Sequence, residues 1–344
     1  MTRDAKSPDG AGVNLGEQSV VHGGLKKSAA RRVRVGIDDE GMRLDRFVGR
    51  ALAGVPAAAV QRLLRTGQVR VNGGRARGHR RLKKGEEVRL PPVRPPEPSD
   101  ENLPPPEGMV ETVSERVLWR DPHLLVLDKP IGMPVHGGSG HRWGAIDAVR
   151  EMVAREPGGG RPELCHRLDK ETSGCLLFGL DGRSVRRVAE MLRHGGIEKR
   201  YRTLVRGEVR PANGEIDLAL VKGMVRSGER MTTVEEGGQH ALTRYRTVRR
   251  LGETSLLDVH LLTGRTHQIR VHFQQIGHPL AGDGKYGQRP FNRRMKKLGL
   301  KRMFLHAAQL KLKHPVTGTI IEVHAPLDER LERVLKRLES LEKE

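Results

Sequence analysis

His166-Arg167-Leu168-Asp169-Lys170-Glu171-Thr172-Ser173-Gly174 is a charged run that leads without a break into the apolar stretch Cys175 to Phe178. A polar loop that feeds a strand of this composition belongs at the rim of a buried sheet. Asp169 stands among Arg167, Lys170 and a wider cationic surface, which makes it available as a nucleophile or base. Taken alone, the run is better explained as a surface ion-pair cluster ahead of a core strand.

Two further runs carry chemistry-bearing residues. In Leu262-Thr263-Gly264-Arg265-Thr266-His267-Gln268-Ile269-Arg270-Val271-His272, Thr266 can cap a helix whose interior begins at His267, with Ile269, Phe273 and Ile276 turned inward. Arg265 and Arg270 then place cations near a helix N-terminus, a setting suited to a carboxylate or phosphate. His267 and His272 are five residues apart and do not share a helix face, which argues against a paired metal site. In Lys199-Arg200-Tyr201-Arg202-Thr203-Leu204-Val205, Tyr201 is either a core tyrosine or a ring on which a splayed base stacks.

Outward from these runs, Leu124 to Leu127, Tyr201 to Val209, Ala241 to Arg250, Ser255 to Leu262 and Leu305 to Leu312 read as strands. Val185 to Leu192, Thr266 to Ile276 and the amphipathic stretch Asp328 to Leu341 read as helices. The strands follow one another in runs instead of alternating with helices. That pattern predicts an α+β unit over 109–344, built on a mixed, mainly antiparallel sheet.

A smaller unit precedes it. Leu44, Phe47, Val48, Ala51 and Leu52 recur at helical spacing, and Pro56 opens a second short helix carrying Val60, Leu63 and Leu64. Val69 and Val71 then alternate ahead of the turn dipeptide Asn72-Gly73, so helix, helix and hairpin fill 41–90. Between Arg62 and Lys84 there are nine Lys or Arg and no Asp or Glu, a single-sign stretch better explained by phosphate contact than by a merely solvated face. Residues 91–108 hold eight prolines and read as a semi-extended linker. Residues 1–30 lack apolar periodicity and read as a disordered tail.

The composition narrows the partner. Of 344 residues, 63 are Lys or Arg and 42 Asp or Glu, a net charge of +21 that points to a polyanion and, through self-repulsion, to a monomer when free of it. No run approaches a membrane span and the N-terminus lacks a secretory apolar region, so a cytoplasmic protein is expected. Two cysteines cannot form a disulfide framework or a four-ligand zinc site, and there is neither a nucleotide-binding glycine fingerprint nor a metal cluster; no metal or cofactor is expected.

The N-terminal unit resembles the S4 RNA-binding domain. The likeness runs from Gly-Met-Arg-Leu-Asp-Arg-Phe (41–47) through Leu-Leu-Arg-Thr-Gly-Gln-Val-Arg-Val-Asn-Gly (63–73) to Lys-Lys-Gly-Glu-Glu-Val-Arg-Leu (83–90). It implies that Arg62, Arg65, Arg70 and Arg75 face RNA. The larger unit resembles the RluA family of pseudouridine synthases over nearly all of 117–338. The matching runs, in order, are Leu125 to Gly138, His166 to Gly174, Lys199 to Gly207, Thr263 to His272, Gly277 to Asp283 and Leu305 to Ala307. Within the family the likeness is strongest to synthases of 23S ribosomal RNA, carried by Leu52 to Pro56, Gly67 to Gly73, Val88 to Arg94, Val135 to Gly140 and Ser227 to Arg230. Thr203 departs from the small residue the family usually places after the tyrosine.

The resemblance implies isomerisation of uridine to pseudouridine in 23S rRNA or a large-subunit precursor. It implies Asp169 as the essential catalytic group and Arg270 as its ion-pair partner. Tyr201 would stack on the target base and assist proton removal, and Arg167 would fill the gap left by the extruded uridine. Arg265, His166 and the basic tract Arg293 to Arg302 would make RNA contacts. Two alternatives are a synthase of this family directed at another rRNA helix or at tRNA, and a non-catalytic S4-type ribosome-binding factor.

Overall fold

The computed structural model describes residues 30–52, 55–93, 103–138, 140–224 and 230–342. All but the last residue of the expected tail, the middle of the linker (94–102) and most of the Ser227 to Arg230 run lie outside the described residues.

In the N-terminal unit, helix α1 (Leu44–Ala51) buries Leu44, Phe47 and Val48, and α2 (Ala57–Arg65) follows Pro56 and buries Val60, Leu63 and Leu64 against them. Asn72 and Gly73 both take left-handed backbone (φ 49° and 79°), as a tight turn between short strands requires. The sheet order is β1-β4-β2-β3, comprising β1 (Arg31–Arg34), β2 (Arg70–Val71), β3 (Gly74–Arg75) and β4 (Glu87–Leu90). Strand β1 lies ahead of Gly41, where the sequence pattern begins. It pairs antiparallel with β4 from Arg31 opposite Leu90 to Arg34 opposite Glu87. An Arg-Arg-Val-Arg segment owes its strand to edge pairing, which an apolar pattern does not reveal.

Helix α3 (Glu107–Ser114) begins inside the proline-rich segment and packs on α4 (Ala145–Ala154). Next to them stand β5 (Val117–Arg120), β6 (Leu124–Lys129), β7 (Glu163–Leu164) and β8 (Ser173–Gly179). After α5 (Gly182–Arg193) come β9 (Ile197–Arg206), β10 (Asn213–Asp217), the hairpin β11 (Leu220–Met224) and β12 (Arg230–Val234), β13 (Leu242–Leu251) and β14 (Thr254–Leu261). The chain closes with α6 (Gln268–Gln275), α7 (Arg289–Lys297), β15 (Leu305–Lys313), β16 (Ile320–His324) and α8 (Glu329–Leu341).

Ten of these strands form one sheet, in the order β10-β13-β14-β9-β15-β8-β6-β5, with β16 beside β15 and β7 beside β8. Among the described residues, every ladder of this sheet is antiparallel except β15 with β8. The protein is therefore α+β on a mixed, mainly antiparallel sheet, as its run of strands predicts. Side-chain alternation gives the sheet a core on each face. Tyr201, Val205, Leu257 and Val259 share a cluster with α4 and α6, whereas Leu204 and Leu256 pack with α7 and α8. The two units touch where the Arg186 guanidinium donates to the carbonyls of Asp38 (3.0 Å) and Ile37 (3.2 Å).

The single parallel pair sets His306 beside Ser173 and Ala307 beside Gly174. Gly174 has φ 104°, and a Cβ there would lie 2.3 Å from the Ala307 carbonyl oxygen. Backbone cannot yield as a flexible side chain can. Gly174→Ala is expected to cost about 2–4 kcal/mol, read from the midpoint shift in urea unfolding at an unchanged slope.

Candidate active site

The loop that carries Asp169 is fixed from both sides. Asp169 accepts at its carbonyl from the Thr172 N–H (3.0 Å), and the next carbonyl, of Lys170, accepts from the Gly132 N–H (2.9 Å) and from Lys129 Nζ (3.2 Å). Lys129 is fully buried and also donates to the carbonyls of Pro130 and Met133, each at 2.9 Å. One amine thus ties two loops together. Burial brings its pKa down to about 7. Below the loop, Ser173 Oγ meets His306 Nδ1 at 2.8 Å and accepts from Arg302 Nη2 at 2.8 Å, which gives the Leu305 to Ala307 run its structural task. Thr203 donates its hydroxyl to the Phe304 carbonyl at 2.6 Å, a buried bond that a smaller apolar residue would forgo.

Arg270 projects from the first turn of α6 toward Asp169. Its Nη1 donates to Asp169 Oδ2 at 3.1 Å, while Nε and Nη2 hold Asp283 Oδ2 and Oδ1 at 2.7 and 2.9 Å. Burial alone would lower the guanidinium's pKa, but the two carboxylates raise it above its ordinary value, so it stays charged. Asp283 is offset in the other direction. Burial would raise it, yet Arg270 and the backbone N–H groups of Tyr286 and Lys285 hold it below the ordinary carboxylate range. Side-chain exposure climbs from 0% at Asp283 through 8% at Arg270 to 27% at Asp169. Asp283 is the buried anchor, and Asp169 is the carboxylate the cleft can reach. Both of the latter's side-chain contacts fall on Oδ2, and Oδ1 makes none among the described residues.

The start of α6 differs from its expected form. Thr266 does not cap it. His267 occupies the cap position in left-handed backbone (φ 55°, ψ 19°) with no side-chain cap bond. Gln268 Oε1 instead reaches back to the Arg265 N–H (3.0 Å) and the Thr263 hydroxyl (2.7 Å). A glutamine that folds back on its own loop outcompetes the threonine.

Tyr201, on β9, forms another wall of the pocket that holds Asp169, beside Leu261, Ile269 and Leu305. Burial, reinforced by Asp169, pushes its phenol above the usual range, so the ring meets a ligand as an apolar face with a protonated hydroxyl. Above this pocket opens a cleft of about 770 Å³ with Arg46, Arg167, Arg193, Lys199 and Arg265 on its walls, a volume suited to a bound nucleotide. Arg167 is exposed there. Arg265 is exposed too, held by a bond from its Nε to the His240 carbonyl at 3.0 Å.

Among the expected RNA contacts, His166 is half-buried on the wall of the same cleft. Its Nε2 accepts from the Leu177 N–H at 3.1 Å, and burial lowers the ring's pKa to about 4. It is a neutral ring that braces β8. Sequence cannot distinguish an imidazole turned to the backbone from one turned to solvent. Arg62 and Arg65 are exposed on the last turn of α2, and Arg70 and Arg75 face each other across β2 and β3. Arg65 and Arg75 line a groove of their own with Arg77 and His79. The S4-unit cation on the Asp169 cleft is Arg46, to which the sequence alone gives no role, as it gives none to Lys129, Asp283 and Tyr286; His267 it offers only as a metal ligand. Arg46, Lys129, His267 and Asp283 had a signal, since all four lie inside matching runs, whereas Tyr286 does not.

A carboxylate pinned to a buried guanidinium beside a tyrosine, in a cation-lined cleft with an S4-like unit alongside, defines an enzyme that acts on RNA. Residues 123–275 match the family model for RNA pseudouridylate synthase, and residues 42–88 match the S4 domain. The chain is 42% identical over 308 residues, 89% of its length and 96% of the relative's, to ribosomal large subunit pseudouridine synthase C of Escherichia coli (strain K12). It is 39% identical over 311 residues to the protein of the same name in Haemophilus influenzae, covering 90% of this chain and 96% of that one. The chain belongs to the RNA pseudouridylate synthase family, in its RluA branch, and is an isomerase. Among solved structures, human RNA pseudouridylate synthase domain containing 4 is similar with a TM-score of 0.57 at 26% identity, over 67% of this chain and 96% of that one.

Proposed function

We propose that the chain converts uridines of the large-subunit 23S ribosomal RNA to pseudouridine, with Asp169 as the reactive carboxylate. The conversion breaks the N1 bond to the ribose, turns the base and joins C5 to the same sugar carbon. N1 ends with a proton and C5 loses one, so no oxidant, hydrolysis or group donor is needed. Tyr201 offers its ring to the extruded base, Arg167 stands where a cation can replace that base in the stack, and Arg270 fixes the direction of the carboxylate. Arg62, Arg65, Arg70 and Arg75 contact backbone phosphate. The observation that carries this reading is Asp169 Oδ1 left open in a cationic cleft while Oδ2 is held by Arg270 at 3.1 Å. Simple binding of RNA has no use for a carboxylate so placed. The substrate rests on the named relatives and on the S4 unit. As a modifier of ribosomal RNA the protein is expected to work in the cytoplasm, and its net charge of +21 favours a monomer when off RNA.

Carbodiimide-blocked primer extension across 23S rRNA, in cells with and without the gene, tests the substrate. Stops that vanish on deletion and return with the wild-type gene support it. Stops unchanged in 23S rRNA but lost from transfer RNA would move the activity to the other substrate. Replacing Arg65 and Arg75 together by Ala is expected to raise KM and reduce the slope of log affinity against log salt by about 1 per lost phosphate contact, measured by fluorescence anisotropy on a labelled 23S fragment.

A further inference from the structure

Tyr286 lies behind both side chains that touch Asp169. The Arg270 guanidinium sits 5.0 Å from the centre of its ring, and the His267 ring meets it edge-on at 5.4 Å. Its hydroxyl has a neighbour on each side: the Thr232 N–H of β12 donates to it at 3.0 Å, and His267 Nδ1 lies 2.8 Å away. A phenol has one proton to give. Thr232 approaches the phenol with its side chain as well as its N–H; a phenol that gives its proton to Nδ1 leaves the imidazole's own proton on Nε2. Nε2 is 3.8 Å from Asp169 Oδ2, beyond hydrogen-bond reach, so a neutral N–H there acts on the carboxylate as a dipole.

The ring's surroundings keep this arrangement neutral. Facing it are Asp169 from the catalytic loop, Arg270 from α6, and Asp283, Lys285 and Tyr286 from the loop after α6; burial is the largest influence and lowers its pKa, with Arg270 and Lys285 adding to that and the two carboxylates opposing. Burial also raises the Tyr286 phenol, which therefore retains its proton. His267 holds its place in left-handed backbone, the kind of strain that persists where the surroundings impose it.

We propose that Tyr286 and His267 are positioning residues for the reaction: Tyr286 donates to Nδ1 and so keeps the imidazole proton on Nε2, which turns an N–H dipole toward Asp169 Oδ2 while Arg270 Nη1 holds that oxygen by a hydrogen bond, leaving Oδ1 to face the uridine. In the opposite tautomer an Nε2 lone pair would face the carboxylate and push it out of line. The proposal rests on Asp169 being the reactive group.

Single-turnover pseudouridine formation on a 23S fragment is to be compared for wild type, H267Q, H267N, Y286F, the double variant Y286F/H267Q, and Asp169→Asn. A glutamine amide nitrogen reaches the Nε2 position and has no tautomer to set; an asparagine reaches only the Nδ1 position. H267N and Y286F are expected to lower the catalytic rate about tenfold or more, with KM within about twofold, as for misaligned reacting groups. H267Q should stay within about threefold of wild type, and the double variant should be no slower than H267Q, since Tyr286 then has nothing to orient. Equal losses for H267N and H267Q, or a Y286F loss that persists in the H267Q background, overturn the proposal. If Asp169→Asn proves active, the reading of the reactive carboxylate fails instead, and the two failures are told apart in one experiment.

Discussion

Asp169→Asn is expected to abolish pseudouridine formation, a loss on the order of 10⁴-fold or more in single-turnover rate, while RNA affinity stays within about threefold. The substitution keeps the shape of the side chain. An asparagine carbonyl oxygen can still accept from Arg270 Nη1, which lies 3.1 Å from Oδ2 in the native protein. What is lost is an anionic oxygen able to form a bond to carbon or to stabilise developing positive charge on the sugar. Tritium release from RNA labelled at uridine C5, with anisotropy on the same RNA, separates the chemistry from binding. Retained turnover would remove Asp169 from its role, and a matching collapse of affinity would show that it shapes the RNA site.

Arg270→Met should be almost as damaging to turnover, by about 10²–10³-fold, and in addition destabilising by about 3–5 kcal/mol because it strands a buried carboxylate. Asp283 has 0% side-chain exposure and depends on Arg270 for its bidentate partner. In wild type its depressed pKa contributes stability that is present above the unfolded value, near 3.8, and is lost as pH falls through the folded value. Without Arg270, burial is opposed chiefly by the backbone N–H groups of Tyr286 and Lys285, and the folded pKa is expected to move above the unfolded one. The sign then reverses. The unfolded state loses its proton first, and the variant should lose stability as pH rises from about 4 through the raised value. Urea unfolding at pH 5 and pH 8 is expected to show Arg270→Met less stable at pH 8. Adding Asp283→Leu should restore much of the stability and none of the turnover. A pH-independent deficit would refute the charge argument.

Much of the site is legible in the sequence because its side chains sit in compact runs that begin or end elements. Asp169 lies in a polar loop ahead of the apolar run Cys175 to Phe178, and Arg270 stands in the first turn of a helix. Their meeting across 101 residues is not legible. It depends on the one parallel ladder, β15 with β8, which shares the sheet with β9, the strand of Tyr201. The readings that missed share a cause. Thr266 has the chemistry of a cap, but Gln268 reaches the same loop first. Strand β1 has too few apolar residues for periodicity to find it and exists by pairing with β4. Asp283, His267 and Tyr286 act behind the reacting groups, and side-chain direction, which spacing does not encode, gives them their place.

A structure of the protein bound to a uridine-containing 23S fragment tests the central claim most directly. The account expects the target base out of its strand and stacked on Tyr201, with Asp169 Oδ1 within about 3.5 Å of the reacting nucleotide and Arg270 still on Oδ2. A uridine seated elsewhere, with Asp169 facing only protein, would contradict it.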